Sequence, residues 1–263
     1  MAWLVQTLSL LRRQAGRLLF IALLMQLVLG LTQIPLIGLL VVLSVPGLSA
    51  GLLEAFHVAA AGGRPALRTL FVPLASGTHN GRLLALGALV FAVGIVSMSL
   101  LLSGSGELMD PALLEQIERG DLDAIASINQ EALGQMALAF LLGVSISGTI
   151  SYFAIPLIWF RQFKLGAALV TGLRALFINW LPFLVLGLGL LLVVLPVAVI
   201  IGILFSVAGS GSLLTGIVMG LIMVLLLLFQ LLLFGTQYCA FRDIFGLAAE
   251  AEPPVHSDNQ LLA

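Results

Sequence analysis

The chain has 263 residues, 61% of them hydrophobic and only 9% charged, with a formal net charge of −1. Soluble domains carry about a quarter charged residues, so this composition belongs to a bilayer and not to a water-soluble globule. There is no basic excess to attract nucleic acid, and a lone Cys239 excludes an internal disulfide or a multi-cysteine metal site.

A bilayer span needs about 20 apolar residues. Six segments qualify: 17–34, 36–61, 83–103, 132–158, 181–206 and 213–239. The first is preceded by Arg12, Arg13 and Arg17, in the manner of a signal peptide. No small-x-small cleavage site follows, however; the chain reads Thr32, Gln33, Ile34, Pro35, and the segment is expected to stay as an uncleaved span. The connection Thr32–Pro35 is short enough to demand a tight hairpin, and the Ser206–Ser212 stretch predicts another between spans five and six.

Each hairpin follows a short amphipathic segment with basic residues. In the first, Leu4, Leu8, Leu11 and Ala15 share a helical face. In the second, Leu67, Leu70, Phe71 and Leu74 do so, after Pro65 at a first helical position. In the third, the face is Leu169, Leu173, Leu176, Phe177 and Trp180, with Arg174 opposite. The pattern predicts three units, each an interfacial elbow helix followed by a transmembrane hairpin.

The stretch 104–131 is the one sizeable polar insertion. Asp110-Pro111 caps one short helix that ends at Gly120, and Asp121 or Asp123 caps a second. Domain 1–246 is thus expected to be membrane-embedded, followed by a disordered tail, 247–263.

Ten of the eleven Lys and Arg residues fall in segments that alternate spans would place on one side. The exception, Arg119, lies among Glu107, Asp110, Glu115, Glu118, Asp121, Asp123 and Glu131. Short cytoplasmic loops keep their Lys and Arg, so both termini are expected in the cytoplasm of a bacterial inner membrane.

Ionisable groups at membrane depth are costly and therefore mark function. Glu54 and His57 are the best pair, three residues apart on one face of span two. Pro46-Gly47 upstream is expected to kink or break that span and free backbone carbonyls. The pair could form a proton or cation site, or could snorkel to the interface at an early end of the span. Ser145, Thr149 and the row Gly143, Ser147, Ser151 give span four a small, polar face, and Gly216 and Gly220 form a GxxxG in span six. Close helix packing is the favoured reading of both, with Gln26, Gln33, Gln230 and Gln237 as uncharged interhelical glue. Arg242-Asp243 reads as a solvated interfacial pair. No HExxH, P-loop or GxSxG occurs, and His57, His79 and His256 show no metal-ligand spacing, so no enzyme, cofactor or metal is expected.

Four stretches carry a resemblance: Val45-Pro46-Gly47-Leu48-Ser49-Ala50-Gly51, the run Tyr152 to Phe160, Asn179-Trp180-Leu181-Pro182-Phe183, and the run Tyr238 to Gly246. Taken in order, they make the chain similar to a family of uncharacterised six-span inner-membrane proteins of proteobacteria, catalogued by a locus-tag name. The resemblance implies the topology and carries no activity or site residue.

These readings converge on an all-α integral membrane protein with six transmembrane helices. Its expected role is a non-enzymatic component that binds membrane lipids, other inner-membrane proteins or itself. Arg12, Arg13, Arg64, Arg68, Arg174 and Arg242 are the candidate headgroup-facing cations. The alternative is a small-solute or ion transporter using Glu54 and His57.

Overall fold

A computed structural model describes residues 2–77, 79–103, 130–207 and 213–247. The helices expected in the acidic loop, the second outer turn beyond Val207 and the tail beyond Leu247 lie outside the described residues.

Among the described residues the chain is helical throughout, with no strand. In chain order the elements are α1 (Ala2–Gly30), α2 (Pro35–Ala60), a 3-10 turn (Leu67–Phe71) running into α3 (Val72–Ala75), α4 (Asn80–Ser103), α5 (Gln130–Arg161), α6 (Leu165–Ile178), α7 (Trp180–Val207) and α8 (Leu213–Phe245). Six of these helices, α1, α2, α4, α5, α7 and α8, are long and apolar enough to cross a membrane. The protein is an all-α membrane protein. In α7 nearly every side chain is apolar and most are exposed, as suits a helix surrounded by lipid.

Helix α1 is two segments. Gln14 leaves helical geometry at φ −139°, ψ 29°, and separates an N-terminal elbow from the span that follows. Helix α2 runs through Pro46 without a break, so of the two outcomes expected there the break does not occur; the proline costs a hydrogen bond but does not end the helix. Pro46 to Leu53 are all buried.

Two compact units divide the chain. The first comprises Met1–Gly30, Leu48–Ala75 and Ala175–Ala263. Within it α1 packs along α8, with α7 touching both. Leu18, Ile21, Ala22 and Met25 of α1 are buried at helical spacing, as are Leu227, Leu231, Tyr238 and Cys239 of α8. Lipid is as apolar as leucine, so contact between such helices is held by close packing and hydrogen bonds instead of by exclusion from water. Both are present. The Gln26 amide donates to the Gln230 carbonyl oxygen at 2.7 Å. Gly235 of α8 lets Thr7 and the Phe56 ring come up against its backbone. Gly51 of α2 likewise passes against the Leu70 carbonyl, which docks the 3-10 turn onto α2.

The second unit comprises Leu31–Gly47 and Ser76–Arg174. Here α4 packs along α5. Gly143 faces Ser97, and its Cβ position is 2.9 Å from that side chain, as expected of a packing row; Ser147 and Ser151 are half-buried beside it. Past the end of α5, Gln162 turns the chain at φ +58°. Arg82 donates to the Gln162 and Phe163 carbonyls at 2.7 and 3.4 Å, capping acceptors that the helix end leaves over.

The buried faces of the elbows differ from those expected. The first buries Trp3, Leu4, Thr7 and Leu10, while Leu8 is exposed. The second buries Thr69, Leu70 and Pro73; Leu67 and Phe71 are exposed, and the turn starts at Leu67, after Pro65. The third buries Ala168, Gly172 and Ala175, leaving Phe177 and Trp180 exposed. Small and polar residues mark the packed faces because they allow close approach, while large apolar ones are equally at home in lipid.

Candidate functional site

Helix α2 continues past Glu54 to Ala60, so Glu54 does not sit at a helix end. Leu52, Leu53, Ala55 and Phe56 around it are fully buried, and Glu54 and His57 are themselves half-buried. The first unit brings α8 and the elbow of α1 to this pair. His57 Nδ1 lies 3.1 Å from the Tyr238 hydroxyl. Phe56 stacks beside the same phenol at 6.5 Å between centroids. Glu54 and Arg242 both act electrostatically on the Tyr238 hydroxyl. The Arg242 guanidinium lies over the Tyr238 ring, 5.9 Å from its centroid, as a cation–π contact.

Arg242 also donates to Gln6 Oε1 at 3.2 Å. Asp243 does not serve as its partner; it accepts from the Trp3 indole at 3.1 Å. The sequence reading of Arg242-Asp243 as a pair of neighbours is replaced by two contacts, each reaching back to the elbow. Thr7 completes the joint. Its hydroxyl lies 2.8 Å from the Trp3 carbonyl and 3.6 Å from Cys239 Sγ. Cys239 is buried and packs as a small apolar side chain.

The chemistry available is therefore a carboxylate, an imidazole, a phenol and a guanidinium grouped where α2, α8 and the first elbow meet. Such a set can hold a proton or bind an anionic or hydrogen-bonding group. Among the described residues no cluster of three or more His, Cys, Asp and Glu could hold a metal ion.

The other candidates are elsewhere. Arg12, Arg13, Arg64, Arg68 and Arg174 are exposed, whereas Arg242 is half-buried in the joint. Ser145 and Thr149 are exposed on α5. Gly216 and Gly220 meet nothing within 4 Å among the described residues, so they pack against none of the described helices. Gln26 and Gln230 meet as expected; Gln237 is buried and Gln33 is exposed.

Sequence reasoning missed Tyr238, Gln6 and Thr7. A phenol in a membrane span signals a need for a partner, but His57 lies 181 residues away and nothing local names it. It also missed Gln14. At the bend of α1 the Gln14 amide donates to the Gly63 carbonyl, tying the elbow to the loop after α2.

No family model, curated protein or solved structure matches the chain. Its function is therefore read from its own residues.

Proposed function

We propose that the chain is a multi-pass membrane component without catalytic activity, which binds anionic lipid headgroups or neighbouring membrane proteins through its basic elbows. One observation carries this reading. Arg12, Arg13, Arg64, Arg68 and Arg174 are all exposed, and none has a hydrogen bond or ion pair among the described residues. Each basic residue near an anionic leaflet contributes about 1 kcal/mol of attraction.

The alternation of basic and non-basic segments supports a bacterial inner membrane with both termini cytoplasmic. The resemblance to the six-span proteobacterial family agrees with that placement. A short helical segment precedes each of the three successive pairs of long apolar helices, which supports three repeats of elbow plus hairpin. The test is native mass spectrometry of protein released from its own membranes. Wild type should retain anionic lipid or a stoichiometric protein partner. Neutralising Arg64, Arg68 and Arg174 together should lose it; unchanged retention would sink the reading.

A second reading, a small-solute or ion transporter, is favoured by the half-buried Glu54 and His57 beside Tyr238. It requires a proton- or ion-linked flux in proteoliposomes that Glu54→Gln abolishes. Wild type without flux over a broad solute panel removes it.

A further inference from the structure

We infer that the bend of α1 and the loop after α2 together form one binding site for an anionic phospholipid whose headgroup carries hydroxyls, chemically a phosphatidylglycerol. This deepens the lipid-binding reading above and rests on it.

The site is built on a single hydrogen bond. Gln14 departs from helical geometry, and its Nε2 donates to the Gly63 carbonyl oxygen, 49 residues on. That bond fixes the turn after α2 against the bend. Arg12, Arg13 and Arg17 flank Gln14, and Arg64 directly follows Gly63. Arg68 belongs to the Leu67–Phe71 turn, which packs against α1. The same fold contact therefore brings together two stretches of chain, 12–17 and 64–68, that between them carry five arginines. All five are exposed, and none has a hydrogen bond or ion pair among the described residues. Arginines carried on two adjoining segments favour an anion that both can reach. Guanidinium forks match phosphate oxygens two bonds at a time.

The same glutamine specifies more than charge. Because Nε2 is committed to a carbonyl, the other end of the amide must be the oxygen. Gln14 Oε1 is buried and has no partner among the described residues. A buried acceptor without a donor is costly. It is closed to solvent as it stands, so binding must turn this oxygen outward; a phosphate diester then offers it no donor, whereas a hydroxyl on the headgroup does. An ethanolamine headgroup offers a donor too, but its own cation would face the arginines. The bend joins an elbow to a span, which puts Gln14 at headgroup depth. A phosphate among arginines with a glycerol hydroxyl on Gln14 meets all these conditions at once.

The test uses the full chain, delipidated in micelles and titrated with phosphatidylglycerol, phosphatidic acid or phosphatidylcholine, with bound lipid read by native mass spectrometry. Phosphatidylglycerol should bind about tenfold more tightly than phosphatidylcholine, and about threefold more tightly than phosphatidic acid, which lacks the hydroxyls. Arg64→Gln with Arg68→Gln should weaken phosphatidylglycerol about thirtyfold. Gln14→Leu should remove the preference over phosphatidic acid. Where that variant fails to fold, the Arg64 and Arg68 pair decides, because those exposed side chains have no hydrogen bond or ion pair among the described residues. If the preference for anionic lipid depends on Arg174 and ignores Arg64 and Arg68, this site is wrong and the broader reading stands. Equal binding of all three lipids overturns both. Glycerol 1-phosphate competing at the same concentration as phosphatidylglycerol would mark a site for a free phosphoester and overturn the lipid assignment.

Discussion

Gly235→Ala tests the packing of the joint most directly. The added methyl would overlap Thr7 Cγ2 and come within 3.0 Å of Phe56 Cε1 and 3.3 Å of Cζ. Neither neighbour yields cheaply. Phe56 is fully buried. Thr7 is held through its hydroxyl to the Trp3 carbonyl and Cys239, so turning its methyl aside breaks those contacts. Overpacking of this kind costs about 1–3 kcal/mol, and the upper half of that range applies here because both neighbours are fixed. Replacing glycine by alanine in a helix returns about 1 kcal/mol. The net loss should be about 1–2 kcal/mol. Gly216→Ala, the same change where nothing lies within 4 Å among the described residues, should be neutral or stabilising. Thr7→Ser removes the offending methyl and keeps the hydroxyl. A double-mutant cycle of the two changes should therefore show about 1 kcal/mol of favourable coupling. Reversible unfolding in mixed micelles measures all four variants. The reasoning is refuted if Gly235→Ala is as stable as Gly216→Ala, or if Thr7→Ser gives it no relief.

Two further changes probe single contacts. Tyr238→Phe keeps the ring beneath Arg242 but strips His57 Nδ1 of its 3.1 Å partner. It should cost about 1 kcal/mol in unfolding experiments, and less once His57 is already Phe, where only the bond to Arg242 is lost; an equal cost in both backgrounds would deny the bond to His57. Gln162→Gly relieves a side chain held at φ +58° while leaving the carbonyl that Arg82 caps. It should stabilise by about 0.5–1 kcal/mol, and a lower unfolding midpoint would show that the glutamine side chain contributes there.

The six apolar runs were legible because hydropathy alone marks a helix that can cross a bilayer. The ends were less so. Helix α5 continues to Arg161 and α8 to Phe245, past the expected 158 and 239, since helical geometry outlasts the apolar run that announces it. Those extra turns matter, for they carry Arg242 and Asp243 to the elbow. The buried faces were misread for a physical reason. In water, a leucine stripe points inward; in lipid, Leu8 and Phe177 can face out at no cost while Thr7 and Gly172 pack. Glu54 and His57 could be picked out by their rarity in an apolar run. Their surroundings could not, because Tyr238, Arg242 and Gln6 arrive through tertiary contact between the first and last helices.

The two functional readings divide at the middle of the first unit. A conducting path needs polar groups at successive depths. Below the joint, the next polar pair on α1 and α8 is Gln26 with Gln230. Tyr238 and Gln230 are eight residues apart, about 12 Å along a helix. Thr236 and Gln237 lie buried at the Tyr238 end of that stretch, the Thr236 hydroxyl donating to the Leu233 carbonyl; the rest of it and its flanks are occupied by buried apolar side chains, Leu18, Ile21 and Met25 from one helix, Leu227 and Leu231 from the other. Gln26 and Gln230 spend their amides on each other and on Met25. Elsewhere, Ser145 and Thr149 lie exposed on α5 and line no interior route among the described residues. Apart from Gln26 and Gln230, the polar contacts between α1 and α8 thus lie toward one end, near the arginines that have no partner among the described residues. That distribution suits a surface that grips a headgroup. Transport through Glu54 and His57 would instead require α1 and α8 to part along the apolar stretch between Thr236 and Gln230.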